Sequence, residues 1–153
     1  MPTLTTPTLT LGNTANNKRD VTVAGSISFD AGDVGKTYRL EIKVYGEDKS
    51  GDVLGPGDAL GSDLLYTYAF PGPLIVMPYK NFKVTAAGSV PYSEKRAIDT
   101  SKLDEDPGTE VVGWADINTP IVLPRKDEVY ASVTVSAFPV TKKSATVTSG
   151  LGV

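Results

Sequence analysis

Thr37-Tyr38-Arg39-Leu40-Glu41-Ile42-Lys43-Val44-Tyr45 alternates apolar and charged side chains along its whole length. Successive side chains of an extended chain point to opposite faces, so this stretch reads as a strand. Tyr38, Leu40, Ile42 and Val44 face a core, and Arg39, Glu41 and Lys43 face water. The same period returns in Val21, Val23, Ile27 and Phe29, in Leu64, Tyr66, Tyr68 and Phe70, and in Val129, Ala131, Val133 and Val135. A period of two, repeated without a helical period, predicts antiparallel sheets packed face to face.

Working outward from that stretch, strands are predicted at Thr8 to Leu11, Arg19 to Phe29, Asp63 to Phe70, Lys80 to Ala86 and Tyr92 to Ile98. Others follow at Glu110 to Ile117, Ile121 to Leu123, Glu128 to Phe138 and Ala145 to Thr148. Pro71-Gly72-Pro73 closes the strand before it, because proline donates no ladder hydrogen bond. Ser101 to Glu105 is long enough for one helical turn. The expected fold is therefore all-β, an antiparallel β-sandwich of about 8–10 strands, immunoglobulin-like or C2-like. Residues 1–153 read as one domain, with a Thr-rich segment at 1–18 that is either an edge strand or partly disordered. Residues 46–62 form a long Gly-rich loop. Loops of that length are uncommon in compact domains and are often binding sites, although a tolerated surface insertion explains the length equally well.

Composition removes several kinds of function. With no Cys and no His, the chain lacks the thiolate nucleophile, the usual general base and the usual transition-metal ligands. Fifteen Lys and Arg against 18 Asp and Glu give a net charge of −3. Such a balance has no basic stripe to displace counterions from phosphates, so no nucleic-acid partner is expected. The longest apolar run, Leu74 to Met77, is far too short for a transmembrane segment. Met1-Pro2-Thr3 opens without the basic and apolar regions of a signal peptide, which points to the cytoplasm or to export by a non-classical route.

Two motifs invite a chemical reading. Gly32-Asp33-Val34-Gly35-Lys36-Thr37 resembles the end of a phosphate-binding loop, but Asp30 stands where its first glycine belongs. The alternation after Lys36 also predicts a strand where such a loop needs a helix. The acidic residues form the second motif. Asp30 and Asp33 follow one predicted strand, and strict up-and-down alternation brings Asp99, Asp104, Glu105, Asp106, Asp127 and Glu128 to the same rim. Calcium takes six to eight oxygens, and Asp30, Asp33, Asp104 and Asp106 are the candidate ligands. Solubilising charge is the simpler account of the same residues. No other cofactor is expected. Nothing in the spacing selects an acid and base pair for glycoside chemistry.

At the other end, Glu47, Asp48, Asp52 and Asp58 of the Gly-rich loop are candidate contacts for a protein partner. Parity sends Tyr38, Tyr66 and Tyr68 inward and leaves Tyr45 and Tyr130 beside charged neighbours at the surface. Apolar alternation within the Thr-rich ends offers unpaired strand edges, which accept a neighbour's strand in homo-oligomers, while Lys142-Lys143 would protect the last edge. The sequence therefore predicts a non-enzymatic structural or protein-interaction module, binding through loops or strand edges and capable of self-association. The alternative is a calcium-dependent C2-like binding domain.

Overall fold

The computed structural model describes residues 1–47, 62–104, 108–137 and 140–150. Among these, the strands in chain order are β1 (Thr3–Leu4), β2 (Thr8–Ala15), β3 (Lys18–Phe29), β4 (Thr37–Glu47), β5 (Ser62–Thr67) and β6 (Lys80–Lys83). They continue with β7 (Gly88–Asp99), β8 (Thr109–Asp116), β9 (Thr119–Pro124), β10 (Asp127–Ser136), β11 (Val140–Lys143) and β12 (Val147–Ser149). A 3-10 turn at Ala31–Asp33 and a single α-helical turn, α1 (Thr100–Leu103), complete the described elements.

Every pairing is antiparallel, and the architecture is an all-β sandwich. In one sheet β3 is central, with β7 along its whole length on one side and β1 and β2 end to end on the other. In the second sheet the order is β11 with β12, then β10, then β4, then β5 with β6. The inner faces meet in one core. From β3 come Val21, Val23, Ile27 and Phe29; from β4 come Tyr38, Leu40, Ile42 and Val44; from β10 come Val129, Ala131, Val133 and Val135. These are the residues whose alternation predicts the fold, and each removes an apolar side chain from water.

Polar bonds also cross between the layers. The Tyr68 hydroxyl, at the end of β5, donates to the Val21 carbonyl of β3 at 2.7 Å. Arg96 reaches from β7 to the Ala69 carbonyl with Nε at 3.1 Å and a terminal nitrogen at 2.9 Å. Its guanidinium also lies 5.3 Å from the Tyr68 ring and 5.0 Å from the Phe70 ring. Local turns agree with their sequences. Asn16 and Asn17 adopt φ of 52° and 59°, the left-handed pair that a two-residue hairpin requires and that asparagine tolerates.

Three expectations need correction. Asp63 to Phe70 and Lys80 to Ala86 are predicted as separate strands running opposite ways. Instead β5 and β6 run the same way along β4, pairing with residues 43–47 and then 37–40. They form one interrupted line, and the Phe70 to Met77 bridge closes the excursion between them. Leu64 is exposed while Leu65 packs on the core, because an irregularity between Val44 and Tyr45 shifts the register and reverses the parity. Tyr130 is buried rather than exposed; it stacks on its cross-strand partner Tyr45 at 5.5 Å and 14°.

Candidate interaction site

The merged β5 and β6 line rearranges the acidic residues. One fewer reversal means that β7 ends where β3 begins: Lys18 pairs with Asp99 and Phe29 with Gly88. Asp30 and Asp33 therefore lie at one end of the sandwich, while Asp99 and Asp104 lie at the other. Twelve-residue strands at ~3.3 Å per residue separate those ends by roughly 36 Å. Asp127 and Glu128 also lie at the far end, since Val129 pairs with Gly46. The expected calcium site is not assembled from Asp30, Asp33 and Asp104, and Asp106 lies outside the described residues. Among the described residues no three acidic side chains come close enough to hold a metal ion.

Asp33 has a structural task instead. It is only 1 % exposed, and its carboxylate accepts the Tyr38 hydroxyl at 2.6 Å and the Asp30 amide at 2.9 Å. The Tyr38 bond, with help from that amide and the amino group of Met1, holds the Asp33 carboxyl below the usual carboxylate range. Reciprocally, the Asp33 bond, followed by burial, pushes Tyr38 up to about 12. A depressed carboxylate stabilises the fold above its unfolded value of 3.8, and that contribution is lost as pH falls through the lower folded value. Acid unfolding of the native chain should therefore steepen below pH 3.8, and Asp33→Asn should flatten the melting temperature against pH in that window. A raised phenol acts in the opposite sense. Its contribution is complete below pH 10 and lost between pH 10 and about 12, which a tyrosinate absorbance titration would follow.

Of the loop candidates, Glu47 ends β4 and accepts the Thr146 hydroxyl at 2.5 Å. Asp48, Asp52 and Asp58 lie outside the described residues.

The surfaces that stand out are apolar rather than charged. Among the described residues the strands β8 and β9 pair only with each other, as a two-stranded arm outside both layers of the sandwich. Adjacent residues of a regular strand face opposite ways, yet Ile121, Val122 and Leu123 of β9 are all exposed, as are Val111 and Val112 at the irregularity in β8. Trp114 is 62 % exposed and Ile117 at the tip 91 %. Both faces of the arm are thus apolar and open. The excursion between β5 and β6 is alike, with Leu74 exposed at 95 % beside Ile75 and Val76. The signal was present in the sequence: no basic residue and only Glu110 and Asp116 occur between Thr109 and Pro124, and Ile121, Val122 and Leu123 run without alternation.

A third feature lies where the two sheets part. Between the edge strands β6 and β7 a groove of about 620 Å³ opens, lined by Ile27, Phe29, Leu40 and Phe82 among others. Lys80 and Lys83 stand on one side and Glu94 on the other. Glu94 is engaged by Lys80 and by Arg96, each at 3.4 Å. Tyr92, also in this wall, lies over Gly25; a Cβ at that position would approach the Tyr92 oxygen to 2.6 Å. The missing side chain at Gly25 is what leaves room for the hydroxyl end of the ring. Burial pushes the Tyr92 phenol up to about 12.

No family model matches the sequence, and no curated protein is similar to it. Solved structures that resemble the chain include two sugar-cleaving enzymes. DesR, a β-glucosidase from Streptomyces venezuelae in complex with D-glucose, superimposes with a TM-score of 0.43 at 15 % identity, over 97 % of this chain and 15 % of that one. A GH3 β-glucosidase from Bifidobacterium adolescentis gives 0.39 at 13 % identity, over 98 % and 17 %. This chain spans about a sixth of the length of either enzyme.

Proposed function

We propose that this chain is a non-enzymatic β-sandwich module, immunoglobulin-like in strand order, that works by holding another protein surface through segments projecting from the sandwich. The observation that carries this reading is the β8 and β9 arm, which leaves apolar side chains uncovered on both faces. An isolated two-stranded hairpin is marginal in water, and large exposed apolar patches mark interaction surfaces. The strand order supports the immunoglobulin-like assignment: three lines in one layer, four in the other, and β4 and β10 neighbours at the centre of the larger sheet. Charged groups in the body are occupied with holding it together, as Asp33 and Arg96 are. No helix among the described residues is long and apolar enough to cross a membrane.

If the arm serves contact rather than folding, Ile117→Asp should change stability by no more than about 0.5 kcal/mol. The melting temperature would then move by about 2 °C or less. A photo-reactive residue at position 117 should cross-link to another polypeptide, whether the same chain or a different one. A drop of ten degrees in the melting temperature would mean that the tip packs on its own sandwich, and the reading would fall.

A further inference from the structure

The geometry points to a second copy of this chain as the partner: the β8 and β9 arm of one copy seats in the groove between β6 and β7 of the next, giving a head-to-tail assembly. The inference rests on the interaction reading above and names its occupant. Area is the first argument. With about half or more of each of seven large apolar side chains uncovered, the two faces of the arm together offer on the order of 500 Å², to be set against the ~800 Å² that each partner buries in a standard interface.

Charge then selects among the ways two copies can meet. Pairing two β8 strands antiparallel about a two-fold axis at Gly113 sets Glu110 opposite Asp116, and like charges directly opposed destabilise a strand pair. The β9 edge carries Pro120 and Pro124, which donate no ladder bond. Arm against arm is therefore disfavoured, whereas the groove is apolar on its floor and bears Lys80 and Lys83 at its side. Lys80 already has Glu94 as its partner. Lys83 has no ion-pair partner among the described residues, and it is the cation that Glu110 or Asp116 of an incoming arm would meet. The groove is open because β6 and β7 are edge strands of different sheets, and no residue of the chain's own arm lines it. Because arm and groove are different surfaces, a pair of copies keeps one groove and one arm free. The contact is heterologous, and it propagates or closes into a ring.

Trp114 is the sole tryptophan, so its emission reports on the arm directly. Sedimentation velocity and Trp114 fluorescence should be followed together against protein concentration. The expected result is growth beyond the monomer, with the emission shifting to the blue and quencher access falling in parallel. Val122→Asp on the arm and Val90→Asp on the groove wall, both at exposed positions, should each remain monomeric and folded by circular dichroism. Mixed together they should form a 1:1 dimer that grows no further, since one intact arm and one intact groove remain. Lys83→Glu should weaken assembly by about tenfold, and adding Glu110→Lys should restore it.

Wild-type chain that stays monomeric up to about 1 mM with Trp114 exposed would overturn self-assembly and leave the interaction reading standing. A monomer whose Trp114 emits as a buried indole would overturn both. Assembly that survives Val90→Asp would place the arm elsewhere and overturn the groove.

Discussion

Ile42→Ala is expected to lower the free energy of unfolding by about 3 kcal/mol, the middle of the range for such truncations in a close-packed core. Ile42 has no exposed surface. It sits on β4 between β10 and the β5 and β6 line, with Val133 as its cross-strand partner. Its neighbours come from two layers of backbone tied by ladder bonds, so they have little freedom to collapse into the space left. For a chain of this size the melting temperature should fall by about 6–12 °C. The denaturant midpoint should drop while the slope is retained, because the surface exposed on unfolding hardly changes. Lys43→Ala, one residue on and facing outward, should stay within about 0.5 kcal/mol. Similar losses for the two variants would refute the inward parity of β4.

The second large effect is expected at Arg96. Its guanidinium makes two bonds to the Ala69 carbonyl, touches Glu94, and lies near the Tyr68 and Phe70 rings. Hydrogen bonds from a charged group contribute ~1.5–3 kcal/mol, and an acceptor left unpaired adds its own penalty. Arg96→Ala should cost about 2–3 kcal/mol on that basis. Arg96→Lys should recover little, because an ammonium cannot make the paired bonds and lie flat near two rings at once. The test is equilibrium urea unfolding of the three proteins; lysine restoring full stability would show that charge alone, and not the fork geometry, joins the layers. Loss at Arg96 should also widen the groove next to it, since Arg96 and Glu94 lie on the same face of β7. Arg96→Ala is therefore expected to weaken self-association as well as stability.

Much of this architecture is readable from the chain. The core positions of β3, β4 and β10 follow from alternation alone, because burial of one face imposes a period of two wherever an extended segment lies on a core. The turn at Asn16 and Asn17 and the breaks at proline are equally local. β7 is less legible, since Pro91 and the run Glu94-Lys95-Arg96 interrupt its pattern; it is an edge strand, where a missing donor is tolerated and where Glu94 and Arg96 find partners at the margin between the layers. The candidate site was barely visible. Carboxylates are the groups that suggest chemistry in the sequence, whereas the exposed surface that stands apart is the apolar arm, and apolar residues in a strand read as core until the tertiary structure leaves them uncovered.

What the sequence determined by itself is that the backbone is extended and which side chains of β3 and β4 turn inward, both consequences of side-chain periodicity and turn chemistry within a few neighbours. What only the tertiary structure decided is direction. The excursion from Pro71 to Tyr79 returns the chain to the same course along β4 instead of reversing it. An interrupted strand and a pair of reversed strands carry the same alternation, so only the non-local ladder with β4 distinguishes them. That single choice separates Asp30 and Asp33 from Asp104 by the length of the sandwich. It also sets β6 opposite β7, with a groove between them.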